Sequence, residues 1–384
     1  MEKERIRVVF FLPSLEVGGT ERGVVNLVNY IDEQKYRVSI LLGKLKGDFI
    51  KEVKSSIEIE NLNASVSLGL FFSLVRYFKT QKPDIFISAF PRVNVICILA
   101  KIFSGASVKI IITEHSVFSM LPVIAKTSFR RLIARFFMPA MVRFLYPKAD
   151  AIICVARGIA SDLQKSVKTK NDIKVIYNPV INDGIYQLAL EQVNHLWFVN
   201  QDIPVIVAVG RLVECKDYPN LFKAFKLVLK KKPTRLVILG DGPEKENLRN
   251  LVNQMGLSSS IAFLGFQSNP FKYMKQSSVF VLSSLQEGFG NVIIEAMACG
   301  VPVVSTNCPV GPGEIIENNK NGILVPVGNY QKMSDAILGI LNNLQLAKNL
   351  ISSGKERAEF FSVNKSVAEY EKVFEELMQV TPIY

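Results

Sequence analysis

The sequence predicts an α/β chain of two doubly wound domains, each built on a parallel sheet, and three observations carry that expectation. Short apolar, β-rich runs alternate with helical patterns along most of the chain. The alternation lapses once, near the middle. It then restarts from the same opening, an apolar strand running into glycine and a basic residue: Gly18, Gly19 and Arg22 first, Gly210 and Arg211 second.

In the first half the runs are Arg7 to Leu12, Arg22 to Ile31, Arg37 to Leu42, Asp84 to Phe90, Val93 to Phe103, Val108 to Thr113, Ala151 to Val155 and Ile173 to Tyr177. Strands that are apolar along their whole length are covered on both faces, as in parallel sheets. Between Asn178 and Asp202 the pattern gives way to Pro, Asn, Asp and Gln with scattered aromatics, which reads as a linker. The rhythm resumes with Pro204 to Val209, Leu221 to Leu229, Arg235 to Leu239, Glu244 to Met255 and Ile261 to Leu264. It continues through Val279 to Leu282, a helix from Val292, Val301 to Ser305 and Ile323 to Val325. The last segment spaces Val367, Tyr370, Val373, Phe374, Leu377 and Met378 as one apolar face of a helix. The expected organisation is a domain over 1–180, a linker at 181–202, a domain over 203–362 and a terminal helix over 363–384.

A chain of 384 residues with 49% hydrophobic content is long enough to bury two cores. Its five cysteines are widely spaced and never paired as C-x-x-C, which suggests neither a disulfide framework nor a zinc cluster and fits a reducing cytosol. The apolar run Val8 to Leu12 stops at Pro13, too short for a signal-peptide core, and no apolar run reaches the roughly 18 residues of a membrane span. The net charge of +12 is uneven: thirteen Lys and Arg against four acids between Lys101 and Lys174, and no acid from His115 to Ala149.

Residues suited to chemistry gather at the ends of the apolar strands. Gly18-Gly19-Thr20-Glu21-Arg22 opens a helix, where side-chain-free backbone lets an anion approach, although a glycine pair alone is an ordinary turn. Arg211 and Lys216 follow the first strand of the second half and could neutralise a diphosphate; taken singly, Lys216 reads as a solvated charge. Leu239-Gly240-Asp241-Gly242-Pro243 and Leu264-Gly265-Phe266 are further strand-end loops. Most informative is Glu287-Gly288-Phe289-Gly290-Asn291-Val292-Ile293-Ile294-Glu295, two carboxylates eight residues apart around a glycine-flanked turn into a helix. Capping would explain Asn291 but leave Glu287 without a role. Of the two histidines, His115 follows the strand Val108 to Thr113 at its carboxyl end, while His195 lies in the linker beside Trp197.

The Glu287 to Glu295 stretch closely resembles the Glu-x7-Glu signature of glycosyltransferase family 4, retaining enzymes of the GT-B fold that use nucleotide-activated sugars. Gly18-Gly19-x-Glu21-Arg22, Arg211 with Lys216, and Ala298-Cys299-Gly300-Val301-Pro302-Val303-Val304-Ser305 match further family elements. The resemblance implies two Rossmann-like domains facing a cleft, with the terminal helix crossing back to the first. It implies that Glu287 contacts the donor sugar, Glu295 the ribose, and the backbone of Phe289, Gly290, Asn291 and Val292 the sugar and phosphate. Gly18 and Gly19 would lie near the donor phosphates, Arg211 and Lys216 would bind the diphosphate in place of a metal, and Phe266 would lie against the base. His115 would sit near the donor sugar, positioning it or handling a proton. The family often has Lys-Gly where this chain has Lys216-Asp217, so a differently shaped loop is expected there. No cofactor or metal is expected, and UDP is the commoner donor nucleotide.

The acceptor side is expected from the basic segment 118–148. Lys126, Arg130, Arg131 and Arg135 fall on one half-turn of a helix and Phe129, Leu132, Ile133, Phe136 and Phe137 mostly on the other, with Pro139 expected to end or kink it. A solvated face of a core helix would look the same. The lack of acids favours an anionic membrane surface, hence a peripheral protein at the inner face of the cell membrane with a lipid-linked or glycan acceptor. Paired carboxylates also occur in glycoside hydrolases, but the cations beside them favour a phosphate-bearing donor. Two alternatives stay open: a GT-B phosphorylase or sugar-nucleotide epimerase, and a basic nucleic-acid-binding protein. Against the latter, the cations sit on an apolar helix with no recognition motif, so no nucleic-acid partner is expected.

Overall fold

A computed structural model describes residues 5–16, 18–64, 68–120, 129–169, 172–199 and 202–379, without the side chains of 120 and 129–136. They group into two units, one drawn from Met1–Pro179 and Val363–Tyr384, the other from Val180–Ser362.

The first unit holds a seven-stranded sheet of β1 (Ile6–Leu12), β2 (Tyr36–Leu42), β3 (Glu58–Asn61), β4 (Ile85–Ala89), β5 (Lys109–Glu114), β6 (Ala151–Cys154) and β7 (Ile173–Val175), in the order β3-β2-β1-β4-β5-β6-β7. Neighbours pair in parallel, with Ile6 opposite Tyr36 through to Leu12 opposite Leu42. The second unit holds a six-stranded parallel sheet of β8 (Val205–Val209), β9 (Arg235–Leu239), β10 (Ile261–Gly265), β11 (Val279–Leu282), β12 (Val303–Thr306) and β13 (Ile323–Val325), in the order β10-β9-β8-β11-β12-β13. Each sheet reverses its winding once, between β1 and β4 and between β8 and β11. Such switch points leave a crevice outside the carboxyl ends of the strands.

The cores follow the apolar patterning. In the first unit Val8, Phe10 and Leu12 of β1 pack with Val24, Leu27 and Val28 of the helix Gly19–Tyr30 and with Val367, Tyr370, Val373 and Phe374 of the helix Val363–Gln379. Phe374 meets Tyr36 edge-on at 5.4 Å, and Glu371 Oε1 accepts from the Asp32 backbone N–H at 3.0 Å. The C-terminal helix is therefore part of the first unit's core. In the second unit Ile206, Ala208, Leu236 and Ile238 pack under Leu221, Phe222 and Phe225 of the helix Tyr218–Lys231.

One expectation is corrected, and of the two outcomes expected at Pro139 one is removed. Of the expected linker 181–202, residues 181–199 are folded: they carry the helices Asp183–Ala189 and Leu196–Val199 and pack within the second unit. Asn182 caps the first of these at Ile185 N (3.2 Å), Ile185, Val193 and Phe198 are buried, and Phe198 meets Tyr273 edge-on at 5.5 Å. Phe198 is thus an anchor of this segment. Pro139 neither ends nor divides its helix, which runs Phe129–Leu145. Proline removes one rung of the ladder, while beyond it Val142 and Tyr146 are fully buried and hold the second half in place.

Candidate active site

The switch point of the second unit gathers most of the expected donor-side residues. After β8 the chain makes a short 3-10 turn, Glu214–Lys216, and the loop after β11 is bonded onto it: Ser283 Oγ donates to the Lys216 carbonyl at 2.7 Å, and Leu285 N to the Cys215 carbonyl at 2.8 Å. This brings together two side chains 71 positions apart. Lys216 Nζ lies 2.5 Å from Glu287 Oε1, and Ser284 Oγ donates to the same oxygen at 2.6 Å. Both members of the pair are largely buried, with side chains 18% and 11% exposed. Burial pulls the Lys216 ammonium down, but the charge of Glu287 and its hydrogen bond outweigh that and leave the pKa above the usual lysine value. Ser284 is itself clamped, since its carbonyl accepts from Thr306 Oγ1 at 2.6 Å and from the Cys308 thiol at 3.1 Å.

Asp217 shapes the lysine loop. It adopts φ +45°, a left-handed backbone that favours glycine, and its carboxylate caps the helix Tyr218–Lys231 at Asn220 N. Neighbouring strand ends are stacked glycine on backbone: a Cβ on Gly240 would come within 2.0 Å of the Gly210 carbonyl oxygen, and one on Gly242 within 2.4 Å of that of Leu212. No side chain could stand there. Arg211 is exposed, as is Phe266 beyond β10 at 42%.

Gly290, not Asn291, is the N-cap of the helix Asn291–Cys299, with φ +102°. No side chain caps this helix and no acid stands in its first turn, so its positive end is not neutralised from within. Phe289 is buried against Phe361, edge-on at 5.5 Å, which fixes the turn from below. Val292 and Glu295 lie on the helix, Glu295 partly buried one turn in.

At the first unit's switch point Gly18 is the N-cap of the helix Gly19–Tyr30. Here the first turn does hold an acid: Glu21 folds back until its Oε2 would lie 2.1 Å from a Cβ on Gly18. Arg22 turns away, 3.9 Å from Glu52 with its guanidinium 4.7 Å over the Phe49 ring. Two strands along, His115 follows β5. Its Nε2 lies 3.0 Å from Thr113 Oγ1, while Nδ1 is shut away from solvent with no hydrogen-bond partner among the described residues. Burial lowers the His115 pKa to about 4, so the ring is neutral at physiological pH. Glu114 points to the other face and is buried. Its Oε1 accepts from Asn94 Nδ2 at 2.9 Å and from the Tyr146 hydroxyl, and its Oε2 has no partner among the described residues. Burial pushes its pKa up to about 7, with the two hydrogen bonds opposing the shift. Phe90, after β4, sits 6.5 Å from the His115 ring and holds φ +77°, a backbone that bulky residues rarely adopt.

The structure thus joins Lys216 to Glu287, sets Gly18 and Gly19 at one switch point and Gly290, Asn291 and Val292 at the other, and leaves His115 at the end of β5, one strand beyond the first. Ser284, Phe90, Asn94, Thr113 and Tyr146 were not anticipated. Among the membrane-side cations, Lys126 lies outside the described residues, and Arg130, Arg131 and Arg135 are on the helix Phe129–Leu145 but their side chains are not described. Exposed apolar side chains gather on that helix, on Pro91–Ser104 packed beside it and on Leu68–Gln81 packed in turn beside Pro91–Ser104: Phe137 and Phe144, Ile102 and Phe103, and Leu68 and Phe72. Among the described residues no helix is long and apolar enough to cross a membrane, and no group of three or more His, Cys, Asp and Glu could hold a metal ion.

Comparison with known proteins agrees with this geometry. Residues 17–183 match the family model described as Glycosyltransferase Family 4, and residues 197–357 that of Glycosyl transferases group 1. A relative from Campylobacter jejuni, N-acetylgalactosamine-N,N'-diacetylbacillosaminyl-diphospho-undecaprenol 4-alpha-N-acetylgalactosaminyltransferase, is 30% identical over 91% of this chain and 94% of its own length. N-acetyl-alpha-D-glucosaminyl L-malate synthase of Bacillus anthracis is 25% identical over 73% of this chain and 71% of its own. Among solved structures, Anabaena HepE in complex with UDP and glucose superposes with a TM-score of 0.81 over 97% of this chain and 100% of that one, at 21% identity. Staphylococcus aureus TarM does so with a TM-score of 0.75 over 96% and 98%, at 15% identity. With two doubly wound units, a paired lysine and glutamate at the second switch point and a relative matched nearly end to end, the chain belongs to the GT-B glycosyltransferases.

Proposed function

We propose that the protein is a retaining, metal-independent glycosyltransferase that moves a sugar from a UDP-sugar to a lipid-linked or polysaccharide acceptor at the inner face of the cell membrane. The observation that carries this reading is the Lys216–Glu287 pair steadied by Ser284, in the same strand-end loops as a helix N-terminus with neither cap nor acid. An incoming diphosphate takes Lys216 as its counter-ion and frees Glu287 to bind the sugar. Arg211 adds a second cation, and together they supply the charge a metal would otherwise bring. Glu295 binds the ribose and Phe266 stacks on the base, an exposed aromatic with no evident task in the fold. Retention rests on the resemblance of the Glu287 to Glu295 stretch to its family signature.

A lipid-linked acceptor is favoured by relatives whose names specify undecaprenol-linked substrates, including a second Campylobacter jejuni transferase 27% identical over 97% of this chain. Six exposed apolar side chains on three adjoining helices give the first unit a surface suited to lipid, and the acid-free stretch supplies charge for anionic headgroups. Vesicle flotation tests the surface: recovery is greater with anionic than with neutral vesicles and falls when Arg130, Arg131 and Arg135 are changed to Glu.

The deciding experiment screens nucleotide sugars for nucleotide release, with and without membrane lipid extract and with EDTA present throughout. The expected result is one UDP-sugar whose release rises with lipid. Absence of release from every sugar overturns the reading, and release indifferent to acceptor transfers support to a phosphorylase or epimerase.

A further inference from the structure

We propose that Arg357 is a positioning residue for the donor: it clamps both the turn after β12 and the Phe361 ring, and these two support the Phe289–Gly290 turn that opens the helix Asn291–Cys299. The inference rests on the transferase reading for its ligand and on contacts within the second unit for everything else.

Arg357 stands in the last turn of the helix Leu344–Glu359 and directs its guanidinium at main chain. Its Nε donates to the Ile315 carbonyl at 3.1 Å and its Nη2 to the Glu314 carbonyl at 2.6 Å. Those carbonyls end the one-turn helix Pro312–Ile315, and a helix leaves its last carbonyls without partners of its own. A planar fork of fixed donors meets two adjacent acceptors at once, whereas an ammonium is a single point charge. The fork is itself held. Phe360 and Phe361 follow at the helix end with their rings at 83° to each other, and the guanidinium carbon lies 4.9 Å from both ring centres.

Both clamped pieces bear on the candidate site. Phe361 is 1% exposed, its carbonyl accepts from Val180 N and Ile181 N at 3.1 Å each, and its ring meets Phe289 edge-on. Gly311, at the start of the clamped turn, comes up against the same residue: it holds φ +96°, and a Cβ there would lie 2.4 Å from the Phe289 carbonyl oxygen. Ile315 is fully buried and stands behind Gly290, its Cδ1 3.7 Å from where a Cβ on that glycine would be. The helix that starts at Gly290 has no side-chain cap to fix its end, so its end takes its place from what it packs on. Arg357 ties those two supports together. A small shift there misaims the backbone N–H groups that face an anion, and the loss appears as weaker binding of the nucleotide.

The test uses the full chain and two variants, Arg357→Lys and Phe361→Leu. Hydrogen–deuterium exchange is followed without ligand in peptides covering 286–293 and 309–316, with β8 and β9 as internal controls. In Arg357→Lys both peptides should exchange about tenfold faster while the strands are unchanged, and in Phe361→Leu the effect should centre on 286–293. Calorimetric titration with UDP should then show about tenfold weaker binding at unchanged stoichiometry, because misplaced donors weaken every site. An arginine that merely stabilises the fold would lower the number of binding sites and leave the affinity of the rest unaltered. Unchanged exchange at 286–293 in folded Arg357→Lys overturns the proposal, and so does unaltered UDP affinity in a variant whose exchange there is faster. If Arg357→Lys does not fold, Phe361→Leu decides by the same two readings. The exchange experiment needs no ligand, so its failure is distinct from failure of the transferase reading, which would show as no UDP binding by the unaltered protein.

Discussion

The two switch points are built on opposite electrostatic plans. In the second unit a lysine and a glutamate are buried together, the hydroxyls of Ser283, Ser284 and Thr306 steady the loops that carry them, and the helix that starts beside them brings no acid to its own positive end. In the first unit the helix N-terminus already has Glu21 folded over it, and the strand-end groups, His115 and Glu114, are driven towards neutrality by burial, each with one atom unpaired among the described residues. The difference teaches what each switch point can exchange with. Paired charge exchanges readily for a charged diphosphate, whereas neutral buried groups suit an uncharged polar partner that can hydrogen-bond with them.

That contrast can be broken by substitution. The largest effect is expected from Glu287→Gln, which should lower turnover about 100- to 1,000-fold, as for loss of one preorganised polar contact to the reacting sugar, while the circular dichroism spectrum remains native. Unchanged turnover would show that the charged site is not the reacting one. Next comes Glu114, whose folded pKa of about 7 exceeds its ordinary value of 4.5. A carboxyl raised in this way contributes stability that is fully present below pH 4.5 and is lost as pH rises through 7, about 3 kcal/mol in all. Glu114→Gln should remove that slope, so urea midpoints of the two proteins diverge between pH 5 and pH 8; parallel curves would mean Glu114 is charged in the fold. The smallest effect on the fold is expected at Arg211, which is exposed. Arg211→Ala should change stability by less than about 0.5 kcal/mol yet weaken UDP binding about tenfold by calorimetry. Equal losses in both would make it a structural arginine.

How much of this was legible beforehand varied with the physics of each part. Strands such as β4 and β9 stand out because a strand covered on both faces must be apolar throughout. β3 does not, since Glu58, Ile59, Glu60 and Asn61 form an edge strand with a single apolar residue, held by its parallel register to Ser39 through Leu42. The helices Leu68–Gln81, Tyr330–Asn342 and Leu344–Glu359 were likewise not anticipated. The glycine turns and the Glu287 loop were readable as local sequence. The partner of Glu287 was not, because Lys216 is 71 positions away and only the bonds of Ser283 and Leu285 to the 3-10 turn bring it near. The left-handed Asp217 and the contacts of the Thr113 hydroxyl with the Ser88 carbonyl and His115 were equally hidden, one being a backbone angle and the other a consequence of strand pairing.

The division of the first unit across the chain bears on how the protein is made. Residues 180–362 form the second unit without interruption, but the first unit's core includes Val367, Tyr370 and Phe374. On the ribosome, the earlier part must wait for roughly 180 further residues before its last helix emerges. At about 5–20 residues per second that is roughly 10–40 s during which Val24, Leu27 and Tyr36 lack their final covering, so the later unit can fold first and the nascent N-terminal half is the natural client for a chaperone.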